Sequence, residues 1–159
     1  MRAELPTIYI TARDVVRLDR LARFHARRDN PAGKRLAAEL RRAVICQPEE
    51  IAPDAVTMLS RIQYRLDSSA QPDERVLVYP DQFTPAGPYV SILAPLGIAL
   101  IGLRVGSCMP FTDGNGKSNW ILVTDVVQRT KVLPNESAIP RSSASAMRTD
   151  PECRPLDCY

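Results

Sequence analysis

Arginine and lysine are concentrated at the front of the chain, where so dense a set of cations could bind phosphates or an acidic protein surface. Residues 1–47 hold eleven Lys/Arg against five Asp/Glu, a net charge of +6, whereas the remaining 112 residues carry a net charge of −3. Ten of the eleven cations lie between Arg13 and Arg42. A solvated helix face would have a similar composition, so the charge alone leaves both interpretations open.

Residues that could catalyse a reaction are sparse. Gly116, Lys117 and Ser118 have the form of the end of a phosphate-binding loop. That motif needs another glycine five positions before Gly116, where the chain has Phe111. The single histidine, His25, has no serine or cysteine beside it in a nucleophile pattern. No pair of carboxylates is spaced for acid–base catalysis. We therefore expect no catalytic residues and a protein that is not an enzyme.

A metal site is not predicted either. The chain has no Cys-x-x-Cys pair, and one histidine leaves too few soft ligands near one another for zinc. The cysteines are Cys46, Cys108, Cys153 and Cys158. We expect no metal, no other cofactor and no small-molecule substrate.

Length and composition limit the class of protein. A chain of 159 residues suits one domain of usual size, and 45% apolar with 25% charged residues is ordinary for a soluble protein. No apolar run approaches the ~20 residues of a membrane span. The opening MRAELP puts an acid and a proline where a secretory signal has an apolar core. These features predict a cytoplasmic protein with no membrane partner.

Two antiparallel helices are predicted to carry the cations. A short strand at residues 5–10 ends before Thr11, a residue type that caps helices. From Asp14 to Arg28 apolar residues recur at three- and four-residue steps, with the arginines mostly elsewhere on the helix. Turn-forming residues at 29–33 end this helix, and residues 34–44 resume helical spacing. The sequence therefore predicts an amphipathic helical hairpin.

The rest of the chain is predicted to form a small, mainly antiparallel sheet packed by one short helix. A connector with two prolines at residues 47–54 marks the boundary. After it come predicted strands at 56–66, 75–79 and 89–93, a helix at 94–103, and a hairpin of strands 109–111 and 119–127 around Asp-Gly and Asn-Gly turns. Beyond about Lys131 the pattern stops, which favours a disordered tail.

Several spaced motifs resemble one bacterial family. The segment APLGIALIGLRVG at residues 94–106 is similar to the SPLG-x-AL-x-G-x-x-VG segment of the GreA/GreB transcript-cleavage factors. The similarity is closer to the related Rnk family, the regulators of nucleoside diphosphate kinase. Three further stretches support that family: PTIYI at 6–10, AELRRA at 38–43 followed by PEE, and VTMLSR at 56–61 with LVYP at 77–80.

The resemblance implies a fold and a partner. It implies an α+β protein in which residues 1–47 form a helical hairpin, a short coiled coil that enters the secondary channel of RNA polymerase. Residues 48–131 would form an antiparallel sheet domain with one short helix, like FK506-binding proteins (FKBP-like), which docks at the channel rim. The resemblance does not extend to residues 132–159, for which the sequence pattern alone predicts a disordered tail. The docking segment would include Ser91, Pro95, Leu96, Gly97 and Arg104.

The predicted tip of the hairpin differs from that of the cleavage factors. In GreA and GreB, acidic residues at this tip help to hold a catalytic magnesium ion in the polymerase and promote RNA cleavage. Here one acid, Asp29, lies among four cations: Arg27, Arg28, Lys34 and Arg35. A single carboxylate is a poor additional ligand for a hard cation that prefers several oxygens. We therefore expect a non-catalytic regulator that occupies the channel, modulates elongation or competes with Gre factors, and by family regulates nucleoside diphosphate kinase levels.

Two other functions remain open on the sequence. The arginine-rich hairpin could bind nucleic acid directly, in which case binding would weaken steeply with salt. The FKBP-like fold would also suggest a peptidyl-prolyl isomerase. That activity needs an aromatic-lined pocket, and a chain with 6% aromatic residues and one tryptophan, Trp120, offers little to build it.

Overall fold

The computed structural model describes residues 4–128, in which a helical hairpin comes first and a five-stranded sheet follows. In chain order they are β1 (Tyr9–Thr11), α1 (Ala12–Ala26), α2 (Pro31–Arg42), β2 (Val44–Cys46), β3 (Arg61–Leu66), β4 (Asp73–Val78), β5 (Tyr89–Ser91), α3 (Pro95–Leu100), β6 (Cys108–Thr112) and β7 (Ser118–Val127), with a short 3-10 helix at Pro80–Gln82. The predicted α+β class is confirmed.

Helices α1 and α2 form the predicted hairpin, and local capping explains where each begins. The Thr11 hydroxyl accepts a hydrogen bond from the backbone N–H of Asp14 at 3.1 Å, so Thr11 is the N-cap of α1 as predicted. The Asn30 side chain accepts from Ala32 N–H at 3.0 Å, and Pro31 follows it at the first helical position. These caps set the four-residue turn between the helices.

The hairpin closes at its base on a pair of parallel strands, of which the sequence predicted the first but not the second. Residue 44 was predicted to be helical, and this is wrong, because α2 ends at Arg42 and Val44 begins β2. The Val44 N–H donates to the Ile8 carbonyl at 2.9 Å, and Tyr9 pairs with Val44. Pairing with a strand 35 positions earlier overrides helical periodicity here.

The second sheet has the strand order β5-β4-β3-β7-β6. It is mainly antiparallel as predicted, except that β4 and β5 run parallel. Along β3, Ile62 and Tyr64 are buried while Arg61 and Gln63 are exposed. This period-two alternation gives the sheet one face toward the core. The predicted hairpin near the end of the chain is confirmed as β6 and β7.

Several predicted elements are shorter in the structure. The strands predicted at 5–10 and 89–93 span only Tyr9–Thr11 and Tyr89–Ser91. The strand predicted at 56–66 begins only at Arg61. Before it, Leu59 adopts a left-handed φ of 67°, and the Thr57 and Ser60 hydroxyls are 2.8 Å apart, so this stretch is a turn instead. The helix predicted at 94–103 spans only Pro95–Leu100.

One apolar core joins the hairpin to the larger sheet. The hairpin unit contributes Ile8, Ile10, Leu18 and Leu36. The sheet contributes Ile62, Leu77 and Ile121, and the segment from the end of β5 through α3 contributes Ile92 and Leu100; all nine are at most 2% exposed. Helix α1 therefore begins, and helix α2 ends, at a base that shares this core. The division at residues 47 and 48 stays a prediction, and the predicted tail at 132–159 lies outside the described residues.

Candidate interaction surfaces

The tip of the hairpin is a tight turn held by backbone and side-chain hydrogen bonds. The His25 carbonyl accepts from the N–H groups of both Arg28 and Asn30 at 3.1 Å. Asn30 also places its side-chain nitrogen 3.3 Å from Nδ1 of His25. Asp29 has a left-handed φ of 55°, which aspartate tolerates better than most residues. The single histidine, near the end of α1, thus helps to hold the turn that follows.

All five predicted tip residues are exposed. Four of them lie at or next to this turn: Arg27, Arg28, Asp29 and Lys34. The Lys34 ammonium lies 3.1 Å from the Asp29 carboxylate, whose side chain is 92% exposed. The remaining residue, Arg35, lines a separate groove between α2, α3 and β6 together with Pro95 and Phe111. The single acid at the tip is therefore already paired with a cation.

The tip offers little to a metal ion. Within residues 4–128, no group of three or more His, Cys, Asp or Glu side chains is arranged to hold one. Asp29 alone would supply at most two oxygens, and its ion pair with Lys34 lowers its availability further. The arrangement can present charge to a partner, but it cannot build a cation cage by itself.

A second surface lies on the side of α1 away from the core and extends into the turn that follows it. The Arg28 guanidinium stacks over the Phe24 ring at 3.8 Å, and Phe24 remains 52% exposed. An open concavity of about 530 Å³ at this position is lined by Arg20, Arg23, Phe24, Arg27 and Arg28. We call these five residues the α1 flank. Phe24 was not among the residues predicted from the sequence, although an aromatic residue on the arginine side of an amphipathic helix was the available signal.

The predicted docking segment divides into buried and accessible parts. Gly97 is buried, and a Cβ there would lie 2.1 Å from the Ser91 carbonyl oxygen, so this glycine serves the packing of α3 on the strand before it. Ser91, Pro95 and Leu96 are partly exposed. These three, and not Gly97, remain available to a partner.

Arg104 is the exposed charge of the docking segment. Its guanidinium donates to both carboxylate oxygens of Asp54, at 2.9 and 3.2 Å. This hydrogen-bonded carboxylate raises the pKa of Arg104 above its ordinary value. The two-point contact orients a permanent cation on the surface.

Arg17 ties α1 to the sheet. Its guanidinium lies 3.6 Å from the centre of the Tyr79 ring, and it is 3.4 Å from the Asp81 carboxylate. Burial raises the pKa of Tyr79 to about 12, with the charge of Asp14 adding to the effect. The contact joins the helix that carries the flank to the end of β4.

No helix within residues 4–128 combines the length and the apolar character that crossing a membrane requires. The two concavities described above contain one aromatic ring each, Phe24 in one and Phe111 in the other. Neither has the several aromatic walls that a prolyl-isomerase pocket would need.

Comparisons with known proteins agree with this architecture. The family described as Rnk N-terminus matches residues 6–45, and the family described as transcription elongation factor GreA/GreB, C-term, matches residues 50–126. The chain is 45% identical over 121 residues to the regulator of nucleoside diphosphate kinase of Escherichia coli K12, covering 76% of this chain and 89% of that protein. The Shigella flexneri protein of the same description matches equally.

A solved structure shows the same fold. The prokaryotic transcription elongation factor GreA/GreB from Nitrosomonas europaea is 36% identical, with a TM-score of 0.63, and the match covers 77% of this chain and 100% of that one. Both halves of the chain are thus accounted for by related proteins, in the same order. The chain belongs to the Rnk family of regulators of nucleoside diphosphate kinase, with a GreA/GreB-type C-terminal region.

Proposed function

We propose that this protein is a non-catalytic regulator that binds RNA polymerase near its secondary channel, modulates transcription elongation or competes there with Gre factors, and so influences nucleoside diphosphate kinase levels. The GreA/GreB-type C-terminal region supports the partner. The observation that carries the non-catalytic role is the single tip carboxylate of Asp29, paired with Lys34 at 3.1 Å. A hairpin with this tip would occupy space in the channel without adding the oxygen ligands that a metal ion requires.

The absence of cleavage activity is tested on purified, backtracked elongation complexes. The protein is expected to bind the polymerase, to release no short RNA above background, and to reduce the cleavage produced by an added Gre factor. Asp29→Ala is expected, like the wild type, to bind the polymerase and to release no short RNA above background. Robust RNA release that disappears in Asp29→Ala would overturn the proposal.

The docking segment is tested with two variants that break the same ion pair. Arg104→Ala removes the cation, whereas Asp54→Ala removes its partner and leaves the cation exposed. If Arg104 contacts the polymerase, the first variant binds more weakly and the second retains binding. Equal loss in both variants would assign Arg104 a structural role only.

Point variants are preferable to removal of residues 1–47. The hairpin unit shares its core with the sheet, since Ile8, Ile10 and Leu18 pack in the same buried cluster as Leu100. Deletion would therefore uncover apolar surface on the sheet and could abolish binding for reasons unrelated to the hairpin. Substitution of exposed residues avoids this ambiguity.

A further inference from the structure

We propose that the α1 flank is a docking surface for an acidic protein surface on the same partner, with Phe24 as its central apolar contact. The proposal rests on the proposed function, because it names the surface with which the hairpin would contact RNA polymerase. It places the hairpin's main contact along the side of α1 and at its C-terminal end, where Arg27 and Arg28 also belong to the turn.

The position of the flank on the helix supports a contact surface. At 3.6 residues per turn, Arg20, Arg23 and Phe24 recur at three- and four-residue steps on the side of α1 opposite the core-facing Leu18 and Ala22. Arg27 and Arg28 follow the last residue of α1, Ala26, and line the same concavity. Leu18 and Ala22 are fully buried, whereas the flank residues are all exposed. The helix can therefore present the flank without giving up any contact with the core or with α2.

Most of the positive charge on the flank is unneutralised. Among residues 4–128, Arg23 is paired with Asp19 at 2.8 Å, whereas Arg20, Arg27 and Arg28 make no ion pair. Three free guanidinium groups around one ring give a strong local positive potential. A partner surface rich in carboxylates is complementary to it, and guanidinium groups can contact carboxylates at two points.

Phe24 adds an apolar centre to this charge. Burying a half-exposed phenylalanine is favourable by up to ~2 kcal/mol, and the guanidinium of Arg28 already covers one face of its ring. Aromatic and arginine side chains together are the residue types that dominate binding energy at protein interfaces. The concavity around the ring would admit a side chain from the partner.

The distribution of acids argues for a protein and against a nucleic-acid strand. Single-stranded nucleic acid is bound along a continuous positive groove. Here the cations of α1 are interrupted by Asp14 and Asp19, and Arg17 is engaged by Tyr79 and Asp81. The flank is a compact cluster and not a track.

The test compares full-length variants for binding to purified core RNA polymerase at two salt concentrations. Arg20→Glu with Arg27→Glu is expected to weaken binding about tenfold or more, and Phe24→Ala about threefold or more. The double variant is also expected to show a smaller salt dependence than the wild type. All these residues are exposed, and far-UV circular dichroism verifies that the variants fold.

A matched control has the same change in net charge elsewhere on the surface. Arg41 and Arg65 are exposed and lie outside the flank, so Arg41→Glu with Arg65→Glu is expected to change binding less than about twofold. If the wild type and the flank variants bind the polymerase equally well, this inference is overturned and the proposed function stands. Equal weakening in flank and control variants would also overturn it.

The remaining outcomes are equally distinct. If the wild type does not bind the polymerase at all, the proposed function fails and this inference fails with it. If the flank variants keep polymerase binding but lose tight binding to a single-stranded 20-nucleotide probe, the flank is a nucleic-acid site and the inference is wrong.

Discussion

Asp14 is a partly buried carboxylate at the start of α1, and its environment sets a measurable pH dependence. Burial raises its pKa above the ordinary value, while hydrogen bonds from Thr11 and the Met58 backbone N–H and the charges of Arg13 and Arg17 oppose this shift. The folded chain therefore holds this proton more tightly than the unfolded chain does. Stability contributed by the protonated form is lost as pH rises through the window between the two pKa values.

Asp14→Asn should remove this loss, because the amide is neutral at all pH values and its oxygen can still accept from Met58. The free energy of unfolding of the variant, relative to the wild type, is expected to increase as pH rises from the acidic range to neutrality. Urea unfolding at several pH values measures it. A difference that stays constant with pH, or that decreases, would contradict the assignment.

Gly97 illustrates a residue whose lack of a side chain determines packing. A Cβ at this position would lie 2.1 Å from a backbone oxygen of Ser91, which cannot move away without displacing the strand. Gly97→Ala is therefore expected to destabilise the fold by about 2 kcal/mol or more. Gly114→Ala, where nothing lies within 4 Å, is the control and should change the thermal midpoint little.

At the scale of elements, the crossing of α1 and α2 depends on Gly33. A Cβ there would lie 2.5 Å from the Ala26 nitrogen and 2.8 Å from the Ala22 carbonyl oxygen, both backbone atoms. Alanine gains about 1 kcal/mol of helix propensity over glycine, but overpacking against backbone costs about 1–3 kcal/mol. We expect the clash to prevail, because the neighbouring atoms belong to a helix.

Gly33→Ala should therefore lower the free energy of unfolding and loosen the hairpin. Amide hydrogen exchange is expected to increase in α1 and α2 and to stay unchanged in β3 and β7, which lie away from the crossing. Ala38→Gly, at an exposed position of α2, is a control that loses helix propensity without affecting the crossing. A more stable Gly33→Ala variant would show that the helices can separate at no cost.

The elements that the sequence predicted are those specified by nearby residues. Helix α1 follows from its apolar spacing and its Thr11 cap, and the β6–β7 hairpin follows from turn residues at 113–116. The misassigned stretches depend on distant partners. Val44 leaves the helical pattern because it pairs with β1, and residues 56–60 form a turn in which Leu59 N–H donates to the Leu77 carbonyl at 2.7 Å.

The candidate surfaces follow the same distinction. The charged tip could be read from consecutive residues, but the grouping of Phe24 with four arginines depends on which side of α1 packs on α2. Similarly, the separation of Arg35 from the tip depends on the position of α3 and β6. Local sequence thus identifies the residues, and the tertiary arrangement decides which of them share a surface.

At the scale of the whole molecule, the hairpin is joined to the sheet by a shared core and by the contact of Arg17 with Tyr79 and Asp81. The ion pair contributes little, since the side chains of Arg17 and Asp81 are 56% and 68% exposed and solvent screens them. The stacking on Tyr79, at 3.6 Å, is worth about 0.5–1 kcal/mol at such a site. The ring contact should therefore matter more than the ion pair.

Two substitutions separate these contributions. Arg17→Gln, which removes both contacts, is expected to lower the free energy of unfolding by about 0.5–1 kcal/mol, whereas Asp81→Asn, which removes only the ion pair, should change it by less than about 0.5 kcal/mol. Urea unfolding gives both values. Because the core still joins the hairpin to the sheet, neither variant should abolish folding. An effect of Asp81→Asn as large as that of Arg17→Gln would show that the charge, and not the ring, holds the helix to the sheet.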